Sequence, residues 1–188
     1  MNDADIAANF GCTLTTVGMH HEDGLSWPEY FVECPGGNEG ALVLLNELAT
    51  EDARTSARVM SVAEACADYG MRHTDPSTAT ASQIQQYVQK NVAFREDPFQ
   101  FFRPSDLTLL RRSGNCVNSA RLVMATALAA GLPAKCVPVF IDGEIRHTAA
   151  QIRVNGVWQW AEATVTAHFG EPPLVARDRG VVPCEFQS

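Results

Sequence analysis

The dipeptide Asn155-Gly156 lies between two segments of alternating apolar residues, 145–154 and 157–164, and it constrains the fold more than any other feature of the chain. Asn-Gly readily takes the positive φ values of a two-residue type I′ turn, so the segments are expected to pair as an antiparallel hairpin. With Val154 opposite Val157, His147 falls opposite Thr164 and Ala149 opposite Glu162. Side chains alternate along a strand, so His147, Ala149, Gln151 and Arg153 share one face with Trp158, Trp160, Glu162 and Thr164. His147 and Glu162 become diagonal neighbours about 7–8 Å apart at the backbone, a gap that a Glu side chain crosses. A register slip of one residue would put them on opposite faces. The pair reads either as an imidazole held by a carboxylate, with its second nitrogen left for a thiol, or as a surface pair on a solvated sheet face.

Upstream of this hairpin the apolar period changes. Ala120, Val123, Met124, Ala127 and Leu128 recur at helical spacing, in a helix that starts at or beside Cys116 and ends at Gly131, with Pro133 beyond. Residues 135–141 then read as a strand and Asp142-Gly143 as a turn, so the order is one helix followed by an antiparallel meander. A cysteine at a helix start has a physical use. The unpaired amides and the macrodipole favour an anion there, lower the thiol pKa and can hold an oxyanion. The plainer reading is a small buried hydrophobe. Asn115 caps this helix or donates to a substrate. Trp160 lines an acyl pocket or, like Trp158, packs under a helix or loop as a core aromatic.

The N-terminal half is simpler. Residues 12–33 alternate around Asp23-Gly24 as a hairpin, with Pro28 demoting its second half to an edge strand or irregular arm. Residues 40–69 form one or two helices, with Gly70 as the C-terminal cap. Ser77 to Thr80 cap a helix over 79–92 whose Ile84, Tyr87, Val88 and Asn91 form one face; Pro98 lies past its end. The aromatic segment 99–104 anchors a loop to the core, and Ser105-Asp106 cap a short helix through Leu110. From Val165 onward the chain is loop-rich. The expected organisation is a hairpin arm (1–37) on a main unit (38–188, core 79–164), compact as one domain.

Composition excludes several classes. Hydrophobic residues at 46% and charged residues at 19% argue for a globular core rather than disorder. The net charge is −8 and the longest basic run is Arg111-Arg112, so neither nucleic acid nor an anionic membrane is an expected partner. No apolar stretch approaches the ~20 residues that span a bilayer, and the acidic N-terminus is unlike a secretory signal, which makes cytoplasmic the default location. The six cysteines lack CxxC pairing and are read mainly as free thiols. The cluster His20-His21-Glu22-Asp23 lacks metal-ligand spacing and reads as a solvated turn, so no metal is expected.

Gly114-Asn115-Cys116-Val117-Asn118-Ser119-Ala120-Arg121-Leu122, followed by Ala129-Ala130-Gly131-Leu132-Pro133-Ala134-Lys135, resembles the core of the transglutaminase-like superfamily. There a G-x-C helix leads into an A-G-[LI]-P-A-[RK] turn and a strand. His147-Thr148-Ala149 and Trp158-Gln159-Trp160-Ala161-Glu162-Ala163-Thr164 are similar to its histidine strand and its W-x-x-x-D-x-T strand. The resemblance extends from about Ala79 to Thr164, and the stretch from Gln83 to Leu110 has the flavour of phage and prophage members.

The resemblance implies an α+β fold with a papain-like core: a nucleophile helix packed on an antiparallel β-meander, preceded by a helical half. It also implies a Cys-His-acid triad, with Cys116, His147 and Glu162 at the matching positions. Two departures stand out. Glu162 replaces the family's usual Asp, and Asn115 and Asn118 are neutral where acidic residues are common. The implied activity is attack on an amide or acyl carbonyl through a thioester, as a peptidase, amidase or acyltransferase. The substrate would be a protein or peptide, or a small acyl or amide compound, and no cofactor is expected. An arylamine-N-acetyltransferase-like enzyme, and an inactive binding or assembly module, are the alternatives.

Overall fold

A computed structural model describes residues 2–22, 25–95, 102–141 and 144–173. A short helix α1 (Asp3–Asn9), unforeseen in the sequence, is capped by Asn2, whose side chain accepts from the Asp5 amide. Strands β1 (Thr13–Glu22) and β2 (Leu25–Glu33) follow as a two-stranded antiparallel ribbon. Pro28 is tolerated within β2 because neither strand has a second neighbour among the described residues. The expected turn at Asp23-Gly24 lies outside the described residues.

The expectation of free thiols fails here. The ribbon pairs Thr13 with Glu33, which brings Cys12 and Cys34 to a Cα separation of 4.2 Å, and they form a disulfide across its base. His21, exposed, bonds the Ser26 hydroxyl across the ribbon, so it belongs to a strand end rather than to the turn itself.

Residues 40–69 resolve into two helices, α2 (Asn38–Thr55) and α3 (Ala57–Gly70). Ser56 separates them because its extended backbone and side-chain oxygen cap α3 at the Val59 amide. Gly70 is the last helical residue rather than a left-handed cap. A Cβ there would collide with the Thr80 hydroxyl and the Pro76 carbonyl, so its role is the close approach of the next helix. That helix, α4 (Pro76–Asn91), begins three residues before the expected start, because Asp75 caps it and Pro76 occupies its first turn. Ile84 and Val88 of the predicted face are buried.

Strand β3 (Ala93–Phe94) pairs in parallel with β4 (Ser113–Gly114), and between them lies α5 (Ser105–Arg111). Phe102 is buried as the anchor expected of the aromatic segment; residues 96–101 lie outside the described residues. Ser105 does not cap α5. Its amide and hydroxyl both bond Asp52 on α2.

Helix α6 (Cys116–Ala129) is buried along nearly its whole length. It packs against α2, α3 and α4 on one side and against a three-stranded antiparallel sheet on the other. That sheet comprises β5 (Ala134–Ile141), β6 (Glu144–Val154) and β7 (Val157–Ala161), in the order of the predicted meander. Asn46 of α2 covers the free edge of β5, accepting from the Cys136 amide at 2.8 Å and donating to its carbonyl at 3.3 Å. The architecture is the expected α+β core, with the helix on the meander and a helical half before it.

The β6–β7 register is the one the Asn155-Gly156 turn dictates. Val154 pairs with Val157, Gln151 with Trp160 and Ala150 with Ala161, and Asn155 and Gly156 have φ of 50° and 80°. The third strand is three residues shorter than expected. Pairing stops at Ala161, so Glu162 begins a loop.

Candidate active site

Asn115 sets the start of α6. Its backbone is extended and its side-chain oxygen accepts from the Asn118 amide at 3.0 Å, so the capping alternative holds for this residue. Gly114 lets β4 run close to the helix, since a Cβ would lie 2.9 Å from Asn118 Cβ. Asn118 in turn accepts from the Arg103 amide at 3.1 Å. These contacts place Cys116 as the first helical residue, fully buried. Its sulfur is in a disulfide in this structure, so the site stands in an oxidised form. Cys66 and Cys136 are free thiols. Burial pushes Cys66 up to about 11, and burial also raises Cys136, although Arg121 pulls it the other way. Neither is suited to nucleophilic work near neutral pH.

His147 lies on β6, the strand against which α6 packs, paired with Val139 of β5. Its Nε2 lies 2.6 Å from Glu162 Oε2, with both side chains almost wholly buried. Thr164 donates its amide and its hydroxyl to the other carboxylate oxygen, Oε1, at 2.6 Å each, and its hydroxyl is 3.5 Å from Nε2. Nε2 is therefore engaged by the acid, and Nδ1 is the nitrogen left to meet a thiol. Burial alone would push the Glu162 carboxyl up. The bonds from His147 and Thr164 outweigh it and hold the pKa below the ordinary carboxylate value.

Beyond Ala161 no strand ladder fixes Glu162, and side chains from α4 take over that task. Gln89 Nε2 lies 2.9, 3.0 and 3.1 Å from the carbonyls of Glu162, Val165 and Ala167. One turn earlier, Gln85 donates to Ala167 at 2.8 Å. The whole acid-bearing loop is tied to a helix that also packs on α6.

A second buried polar network braces α6 from behind. Arg121, fully buried, bonds Asp52 through Nε at 2.7 Å and Nη2 at 2.9 Å, the Phe102 carbonyl at 2.8 Å, and Asp3 of α1 at 3.2 Å. Asp52 also takes the Ser105 amide and hydroxyl, so α1, α2, α5 and α6 share one ion cluster.

The structure thus brings His147 and Glu162 into direct contact and sets Cys116 at the helix start. Trp160, half-buried, pairs with Gln151 on the His147 side of the hairpin. Trp158 is 39% exposed and lies under the Lys135 ammonium at 4.4 Å, so it is not the core aromatic that was the alternative for it. Thr164 and Gln89 escaped sequence reasoning as site residues. Thr164 carried a signal, since the expected register put it on the face of His147 and it closes the motif that contains Glu162. Gln89 carried none.

A buried helix with cysteine at its head, lying on an antiparallel meander that presents a histidine, defines the papain-like class of α+β folds. The sequence profile of the transglutaminase-like superfamily matches residues 64–169, more than half of the chain, and the chain belongs to that superfamily. Among solved structures it is similar to a proposed protease from Parabacteroides distasonis, at 16% identity and a TM-score of 0.53, over 81% of this chain and 37% of that one. It also matches a structure described as a TGase, at 12% identity and a TM-score of 0.47, over 95% of this chain and 51% of that one. The chain therefore spans about a third to a half of the length of these structures. No protein of curated function matches it. The family match supports a cysteine-type enzyme family in general terms.

Proposed function

We propose that the protein is a cysteine-nucleophile acyl-transfer enzyme whose triad is Cys116, His147 and Glu162. The observation that carries this reading is the buried 2.6 Å contact between His147 Nε2 and Glu162 Oε2, on the strand against which the Cys116 helix packs. Glu162 fixes the imidazole orientation and stabilises imidazolium. A dithiol reductant first opens the Cys116 disulfide by thiol exchange, supplying two electrons and leaving as its own disulfide, so that both sulfurs of the opened bond are released as thiols. His147 Nδ1 takes the Cys116 proton, and the thiolate, favoured by the helix macrodipole, attacks an amide or acyl carbonyl. The backbone amides of the first turn of this helix, which point toward its N-terminus, would receive the oxyanion. The imidazolium then protonates the departing amine, leaving a thioester on Cys116. Water resolves it in a peptidase or amidase, and an amine does so in an acyltransferase. Trp160 lines the acyl side, and Asn115, whose cap uses only its side-chain oxygen, offers its side-chain nitrogen to the substrate. The site operates without a cofactor, and its substrate is a protein or peptide or a small amide or acyl compound.

Intact-protein mass spectrometry tests this. Reduced protein, acid-quenched after mixing with a p-nitrophenyl acyl ester, is expected to carry one acyl group on Cys116, with slower acylation in His147→Ala. Acylation spread over other residues, or unaffected by Cys116→Ala, contradicts the proposal and favours a binding or assembly module.

A further inference from the structure

A groove of about 350 Å³ opens between α3, α4 and α5, lined by Arg58, Ser61, Tyr87, Asn91 and Arg112 over an apolar floor that includes Val62, Leu109 and Leu110. Its volume falls in the range of ligand pockets. Among the described residues the lining holds two guanidiniums and no carboxylate, in a chain with eight more acidic than basic residues. Among the described residues, neither Arg58 nor Arg112 forms an ion pair. Asp106, the carboxylate at the start of α5, bonds the Ser56 hydroxyl.

The backbone of Arg112 is fixed. Its carbonyl accepts from the Ala93 amide at 2.8 Å, at the β3–β4 bridge that leads into the Cys116 helix. Asn91 gives its amide nitrogen to the Tyr87 carbonyl at 2.8 Å, and Asn91, Tyr87 and Ser61 add polar groups to the lining.

We infer that this groove binds an oxyanion carried on an apolar body, the anion held between Arg58 and Arg112 and the body lying on Val62, Leu109 and Leu110. Guanidinium groups recognise carboxylate and phosphate alike through paired N–H donors. The two sources consistent with this chemistry are an acidic peptide segment and a free phosphate compound. The inference does not depend on the catalytic reading, because binding is measured directly.

Isothermal titration of the full chain with inorganic phosphate, and separately with the peptide acetyl-Leu-Glu-Glu-amide, tests it. Saturable binding of at least one probe is expected. Arg58→Gln and Arg112→Gln should each weaken it about fivefold or more, since each removes one charge-assisted contact. Arg54→Gln makes the same charge change on α2, where Arg54 pairs with Glu51, and should leave binding within about twofold. Circular dichroism and thermal midpoints verify that the variants fold. Binding of the peptide alone assigns the site to acidic segments, and binding of phosphate alone assigns it to phosphate compounds. Binding of neither probe, or an equal loss in Arg54→Gln, overturns the inference.

Discussion

Thr164 gives Glu162 two hydrogen bonds at one oxygen, from its amide and from its hydroxyl, each 2.6 Å long. The opposite oxygen is thereby left to His147, so Thr164 decides which way the carboxylate faces. Thr164→Val removes the hydroxyl and keeps the amide and the shape. The expected cost is about 1–3 kcal/mol in urea unfolding, as for a hydrogen bond to a charged group. The Glu162 pKa, followed by carbon-detected NMR, should rise toward the ordinary value.

Because Glu162 is held below its ordinary pKa in the folded protein, its contribution to stability is present above the unfolded carboxylate value, about 4.3. It is lost as pH falls through the lower folded value. Denaturation curves between about pH 2 and 6 should show this acid-side decline in the wild type and a shallower one in Glu162→Gln.

The Gln89 amide serves three carbonyls in the loop that carries the acid. Gln89→Leu keeps the volume and removes the donor to the Glu162 and Val165 carbonyls, while Ala167 keeps Gln85, at an expected cost of about 1–3 kcal/mol. Amide hydrogen exchange should rise over residues 162–167 while that of α6 stays near wild type.

The Arg121–Asp52 pair is a buried ion pair with further hydrogen bonds on both sides. Asp52→Asn removes the charge that balances Arg121 and should destabilise the fold by about 3–5 kcal/mol in chemical denaturation. A change below about 1 kcal/mol would show that Asp3 suffices.

What the sequence made legible follows from which interactions are local. The Asn155-Gly156 turn is local, and it carried the register that puts His147 and Glu162 on one face. The capping of α6 by Asn115 is local too. Where contacts are distant in sequence, reading failed. Ser105 pairs with Asp52 instead of capping α5, Gly70 serves the approach of α4, and Cys12 meets Cys34 only once the ribbon has formed. Glu162 shows both sides of this. Its neighbour on the face was predictable, but the end of the ladder at Ala161 and the rescue by Gln89 depend on a helix more than 70 residues away.

The central claim, that Cys116 is a nucleophile activated by His147, is tested most directly by the pH dependence of iodoacetamide alkylation of Cys116 in native, reduced protein, compared with His147→Ala. The account predicts an apparent thiol pKa well below the ~8.5 of free cysteine in the wild type, moving upward in the variant. A thiol pKa near that of free cysteine in both proteins would contradict it.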